Sequence, residues 1–199
     1  MVVCPWTLDN PLTAYGRQQA EGLGHDWKDV HIDALYSSTS PCAYDTALQI
    51  AEHNHDTTLK AAKGSLFDNR RMGQQVIAAI HAGDTELAAN LYMGLRPSEN
   101  GATPRHYRPP VGGNSPEDVA FRAKTCLIRL LKHHGKDLDE PPKEFLDEVV
   151  INSPNVLPKG IPHAVIVSHN IFMSELYEVM FRWDTPYRMM TCNYGLGEW

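Results

Sequence analysis

The stretch Ala164-Val165-Ile166-Val167 is apolar at every position, is closed by Ser168, and is too short to be a helix of its own. A half-exposed strand alternates in polarity; this one does not, so it reads as a strand buried on both faces. Such a strand lies inside a sheet that helices cover above and below. After His169-Asn170 comes a helical stripe of Phe172, Leu176, Val179, Met180 and Trp183, with Glu175, Glu178 and Arg182 on the opposite face. Strand, tight turn and amphipathic helix form the unit from which parallel sheets are built. The expected fold is therefore α/β, a three-layer α/β/α sandwich with a mostly parallel central sheet.

The rest of the chain fits that plan. Thr13 is placed to cap a helix running to Trp27, weakened at its end by Gly22 and Gly24. His31 to Ser38 reads as a short buried strand that stops at a Ser-Ser-Thr-Ser cluster. Ser40 as cap and Pro41 as first helical residue then open a helix to about His53, with Ala43, Ala47, Ile50 and Ala51 at helical spacing. Residues 65–93 read as mostly helical, broken near Gly73 and Gly83, and residues 96–116 as a long loop. Ser115-Pro116-Glu117-Asp118 starts another helix, with acids against its positive end. That helix runs to about His134 and is expected to bury Val119, Ala123, Cys126, Leu127, Leu130 and Leu131. A polar stretch from Gly135 to Pro162 holds a short helix around Phe145, and Met189-Met190 leads into a final buried strand.

Of the 199 residues, 42% are hydrophobic, enough for a core and for one domain of ordinary size. Eighteen basic against 24 acidic side chains leave a net charge of −6. That balance argues against nucleic-acid binding, which depends on neutralising phosphates. No apolar run approaches the ~18 residues of a membrane span, and Met1 to Trp6 lacks the features of a secretion signal. Cys4, Cys42, Cys126 and Cys192 form no Cys-x-x-Cys pair, so reduced thiols and a cytoplasmic location are expected.

In parallel sheets ligands collect beyond the carboxyl ends of the strands, here after Ser38 and at His169. At His169 a buried strand hands over to a helix whose backbone N–H groups, with Asn170 as cap, face the same space. A positive helix end beside an imidazole suits a phosphate or carboxylate. Arg70 and Arg71 read either as the lining of an anion pocket or as a solvated surface pair. His53-x-His55 and His133-His134 fit no common zinc spacing and read as surface histidines. Ser168-His169 lacks the glycines of a hydrolase nucleophile elbow.

Four blocks in order carry a resemblance. They are Asp9-Asn10-Pro11-Leu12-Thr13 with Gly16-Arg17-Gln18-Gln19-Ala20; Tyr36-Ser37-Ser38 with Ala43 and Thr46-Ala47; Pro110-Val111-Gly112-Gly113-Asn114-Ser115 with Asp118 and Arg122; and Val165 to Asn170. Together they resemble the phosphoglycerate-mutase-like branch of the histidine phosphatase superfamily. The resemblance implies one domain over residues 1–199 with a phosphoglycerate-mutase-like fold, and residues 64–110 as a variable insertion over the cleft. It also implies phosphoryl transfer through a phosphohistidine, with a second histidine and two arginines on the phosphate oxygens and a carboxylic acid protonating the leaving oxygen. Neither a metal nor an organic cofactor is required. The implied partner is a small phosphorylated molecule or inorganic phosphate, with no nucleic acid and no membrane; a homodimer is compatible with this.

Residue by residue, the resemblance assigns His169 and Asp68 to catalysis, while Asn170, Arg70 and Arg71 are the phosphate or substrate candidates by their position in the chain. Counting from Leu66 puts the acid at Asp68, whereas counting back from Gly73 puts it at Asn69. Three positions depart from the family pattern. No Arg-His-Gly occurs in the chain, Cys42 stands where an arginine is expected, and Asn114 replaces a glutamate. A thiol cannot supply the forked donors of a guanidinium. The expectation is a first strand short or missing and a catalytically impaired domain. The alternative is an active phosphomonoesterase or mutase whose N-terminal motif lies outside this sequence.

Overall fold

Helix starts in this chain are set by short polar side chains and prolines. The computed structural model describes residues 11–94, 104–137 and 161–180. Helix α1 spans Ala14–Asp26, and the Thr13 hydroxyl accepts from the Gly16 N–H at 3.0 Å, as its position implies. Helix α2, Pro41–His53, begins at a proline that has no N–H to leave unsatisfied. Ser40 holds the cap position, but its side chain makes no capping bond and lies 3.5 Å from Cys42 Sγ. Helix α5, Pro116–His134, carries a complete capping box: Ser115 Oγ accepts from the Asp118 N–H, and the Asp118 carboxylate accepts from the Ser115 N–H.

Three parallel strands make the described sheet: β1 (Ala34–Ser37), β2 (Ala61–Lys63) and β3 (Ala164–Val167), in the order β2-β1-β3. Leu35 stands opposite Val165 and Ser37 opposite Val167, so the carboxyl ends of β1 and β3 lie level. Alternation along the strands sorts the helices into two layers. Leu35, Val165 and Val167 join Val30, Ile32, Ala47 and Ile50 under α1 and α2. Tyr36 and Ile166 point the other way, to Phe67, Val119, Ala123, Cys126, Phe172 and Leu176. Those residues come from α5, from helix α6 (Asn170–Met180) and from a single 3-10 turn at Ser65–Phe67. Helices on both faces of a parallel sheet give the expected three-layer sandwich.

Residues 65–93 are less helical than expected: the 3-10 turn is followed by α3 (Gln74–His81) and α4 (Thr85–Met93). These two pack through Val76, Ala79 and Ala88, a cluster apart from both sheet faces. Strand β2 has no signal in the sequence, because Ala61-Ala62-Lys63 favours helix and only pairing with β1 extends it. On α6 the expected polar face is wrong. Glu175 and Glu178 are 1% and 3% exposed, whereas Met180 of the expected apolar stripe is open. Arg105 supports that burial: its guanidinium grips the Glu175 carboxylate at 2.7 and 3.2 Å and reaches Glu178 at 3.6 Å. Leu131, expected inside, is exposed. The strand and motif residues 1–10, the helix around Phe145, and Trp183, Met189, Met190 and Cys192 lie outside the described residues. Among those described, no helix is long and apolar enough to cross a membrane.

Candidate functional site

Because the three strands are parallel, their carboxyl ends open on one edge, and three loops leave from it. The Ser38 N–H donates to the Val167 carbonyl and the Gly64 N–H to the Ser37 carbonyl, continuing the ladder one step beyond the strands. Ser168 Oγ bonds the Phe67 carbonyl, tying the third loop to the second. His169, Ser38 and Asp68 are thereby brought together from positions far apart in the chain.

The His169 Nε2 lies 3.0 Å from Ser38 Oγ, and Ser38 Oγ donates to Asp68 Oδ1 at 2.9 Å. An ionised carboxylate can only accept, so the hydroxyl proton points at Asp68 and the Nε2–H of His169 must donate to the hydroxyl oxygen. The Ser40 N–H also donates to Ser38 Oγ, at 3.1 Å. Its one donor and two acceptor positions are then filled. In a serine-hydrolase triad the hydroxyl proton faces the imidazole; here the polarity is reversed, so Ser38 is a bridge and not a nucleophile. Asp68 Oδ1 accepts from the Thr39 N–H and the Thr39 hydroxyl as well, each at 2.8 Å.

Burial pushes the His169 imidazole below its ordinary pKa, and the Asp68 charge opposes that shift. A neutral imidazole with its proton on Nε2 keeps Nδ1 as an acceptor. His169 is also the residue just before α6, and its carbonyl accepts the Met173 N–H. Asn170, expected as the cap, is itself the first residue of the helix.

Arginines shape the rim. Arg122 donates to the carbonyls of Asp68 at 2.6 Å, Asn69 at 3.0 Å and Ser65 at 3.4 Å, and so fixes the loop that carries Asp68. Arg70 is 5% exposed, so it belongs to no solvated surface pair. It donates to the Asn114 carbonyl at 2.7 Å and the Tyr107 carbonyl at 3.1 Å, and stacks over the Tyr92 ring. Arg71 is exposed, and its carbonyl accepts the Asn114 N–H. Its charge acts on Arg122, which burial already holds below its ordinary pKa. Gly73, at φ +82°, lets this loop run against Pro110, since a Cβ there would lie 2.5 Å from the Pro110 carbonyl oxygen.

The structure thus joins His169 and Asp68, leaves Arg71 exposed on the adjoining loop, and sets Arg70 to holding two loops. Asn69, the other candidate for the acid position, has a buried Oδ1 without a hydrogen-bond partner. Ser38, Thr39 and Arg122 were not singled out as site residues from the sequence. The signal for the hydroxyls was present, because Ser38-Thr39 directly follows the strand whose carboxyl end should face the ligand. Cys42, in the first turn of α2, stands beside the same edge.

The three-layer parallel sandwich, with a histidine at the strand-to-helix junction of its carboxyl edge, matches the phosphoglycerate-mutase-like fold. The chain belongs to the histidine phosphatase superfamily (branch 1), whose family model matches residues 3–138. It is similar in fold to a mycobacterial glucosyl-3-phosphoglycerate phosphatase, with TM-score 0.57 and 21% identity, over 89% of this chain and 70% of that one. It is similar too to the phosphoglycerate mutase of Bacillus anthracis, with TM-score 0.55 and 20% identity, over 86% of this chain and 69% of that one. A curated relative, fructose-2,6-bisphosphatase TIGAR B of Danio rerio, is 29% identical over 172 residues. That match takes in 83% of this chain, which spans 63% of the relative's length.

Proposed function

We propose that this chain is a phosphate-recognising domain of the histidine phosphatase lineage that binds the phosphate of a small metabolite beside His169 and is impaired in phosphoryl transfer. The observation that carries the reading is the His169–Ser38–Asp68 bridge at the carboxyl edge of the sheet. His169, once Nδ1 takes up a proton, and Asn170 hold the phosphate at the start of α6, Arg71 adds charge at the rim, and Arg70 keeps the rim loops in place. Asp68 stands in the proton donor's position. One fold relative has been solved with inorganic phosphate and also with VO3, which supports anion binding by a domain of this fold.

Support for impairment is drawn from these 199 residues alone. No Arg-His-Gly supplies the attacking imidazole, and Cys42 replaces a forked phosphate donor. Without the nucleophile of a covalent mechanism, only binding and polarisation remain, at a cost of several orders of magnitude in rate. A second reading, an active phosphomonoesterase or mutase with its motif in sequence beyond these residues, draws support from the greater length of the curated relative.

The test is hydrolysis of p-nitrophenyl phosphate by the purified chain, beside thermal unfolding with inorganic phosphate or sulfate. Negligible turnover with anion-dependent stabilisation is the expected pair of results. Steady turnover abolished by His169→Ala, or a trapped phosphohistidine, overturns the impairment. Absence of stabilisation by either anion overturns the retained site.

A further inference from the structure

Helices α1 and α2 are in close contact at Gly24. A Cβ there would lie 2.5 Å from the Gln49 carbonyl oxygen and 2.8 Å from His53 Nδ1, so glycine is what lets the ends of the helices meet. One consequence is that the rings of His25 and His53 stand 4.2 Å apart between centroids, at 63° to one another. Glu21 lies one turn before His25, on the same face of α1. Glu21 and His25 are exposed and His53 is half-buried, so hydrophobic packing does not account for the grouping. One donor atom from each of the three lies within 4.8 Å of the others.

From this geometry we propose that Glu21, His25 and His53 bind a divalent transition-metal ion of the zinc class. Two imidazoles and a carboxylate are borderline donors that suit Zn2+, Co2+ or Ni2+ better than the all-oxygen shells of Mg2+ or Ca2+. His53 Nδ1 is 2.9 Å from the Gln49 carbonyl oxygen and donates to it. That bond places the proton on Nδ1 and leaves the Nε2 lone pair for the metal, the usual outer support of a ligating histidine. Bonds of ~2.0–2.1 Å at tetrahedral angles set donors roughly 3.3 Å apart, so the three close in by at most ~1.5 Å. Glu21 and His25 can do so by rotating their exposed side chains. The fourth position is left to water.

His53, at the last turn of α2, stands about 18 Å along the helix axis from Pro41 and the Ser38 edge. The ion therefore clips α1 to α2 and takes no part in phosphate chemistry, so this proposal stands apart from the functional reading. The sequence pair His53-x-His55 does not form a site, because His55 turns away to Asp29 at 2.9 Å.

Calorimetric titration of the tag-free, metal-stripped chain with ZnCl2 tests this, with thermal unfolding alongside. The expected result is an equivalent of Zn2+ that raises the unfolding midpoint and is weakened on the order of 100-fold in His25→Ala and in His53→Ala, and about tenfold in Glu21→Gln. The His133→Ala control should bind as the parent does. Unchanged binding in His25→Ala and Glu21→Gln, or no saturation below millimolar Zn2+, overturns the proposal. If His53→Ala fails to fold, the other two variants, at exposed positions, decide.

Discussion

His169 Nε2 donates to Ser38 Oγ across 3.0 Å, and that contact joins the carboxyl ends of two neighbouring parallel strands. It also sets the imidazole's tautomer, because the Ser38 hydroxyl donates its hydrogen bond to Asp68. The relationship gives Ser38→Ala two consequences. Ser38 is fully buried, and its loss leaves the Nε2–H without that acceptor and removes one of three donors from Asp68 Oδ1. Stability should fall by about 1–3 kcal/mol in urea unfolding. Sulfate affinity should fall as well, because His169 is no longer held in place. Loss of stability without loss of sulfate affinity in the remaining folded protein contradicts the bridge's role in binding.

The same contact predicts a pH dependence. His169 has a folded-state pKa below its ordinary 6.5, with burial as the main cause. Between the folded value and 6.5 the unfolded chain binds more protons than the folded one, so stability increases with pH in that window. The contribution is complete above 6.5 and is lost as pH falls towards the folded value. His169→Gln should flatten this part of the profile, as read from urea midpoints at several pH values. Sulfate, whose charge is constant there, favours the imidazolium and should bind the parent chain more tightly as pH falls through the same window. A parallel pH profile in His169→Gln contradicts the assignment.

What could be read in the sequence, and what could not, follows the range of the interactions involved. The strand at Ala164–Val167 and the caps at Thr13 and Ser115 are local, and each element forms, but β3 is not buried on both faces: among the described residues it is an outer strand, with Ala164 exposed and Val165 to Val167 half-buried. Strand β2 depends on a neighbour 26 residues earlier, Leu35 against Ala61, and left no local trace. The faces of α6 were misread for a similar reason, since Arg105 is 70 residues from Glu175. The place of His169 was legible because a strand-to-helix junction in a parallel sheet opens on the carboxyl edge. The wiring of Ser38 between His169 and Asp68 was not, because three loops have to be placed before it exists.

Cys42→Arg tests what the missing guanidinium contributes. The position lies in the first turn of α2, next to the Ser38–Thr39 turn, and Cys42 is half-exposed. An arginine there adds a cation and forked donors at the ligand edge. Phosphate or sulfate should bind about tenfold tighter or more, since a hydrogen bond to a charged group contributes about 1.5–3 kcal/mol. Turnover of p-nitrophenyl phosphate should stay negligible, because the variant still has no Arg-His-Gly. Unchanged anion affinity in the folded variant places the bound anion elsewhere.

Arg105→Met separates the stability of the fold from the chemistry of the edge. Arg105 is mostly buried, holds Glu175 with two hydrogen bonds, and lies within 3.6 Å of Glu178. Removing one member of a buried pair strands the other's charge, which typically costs about 3–5 kcal/mol. Adding Glu175→Gln should recover a large part of that loss, because the charge to be buried is then gone. A double-mutant cycle by urea unfolding measures the coupling. Strictly additive losses mean that Glu175 does not depend on Arg105, and that its burial is maintained by other contacts.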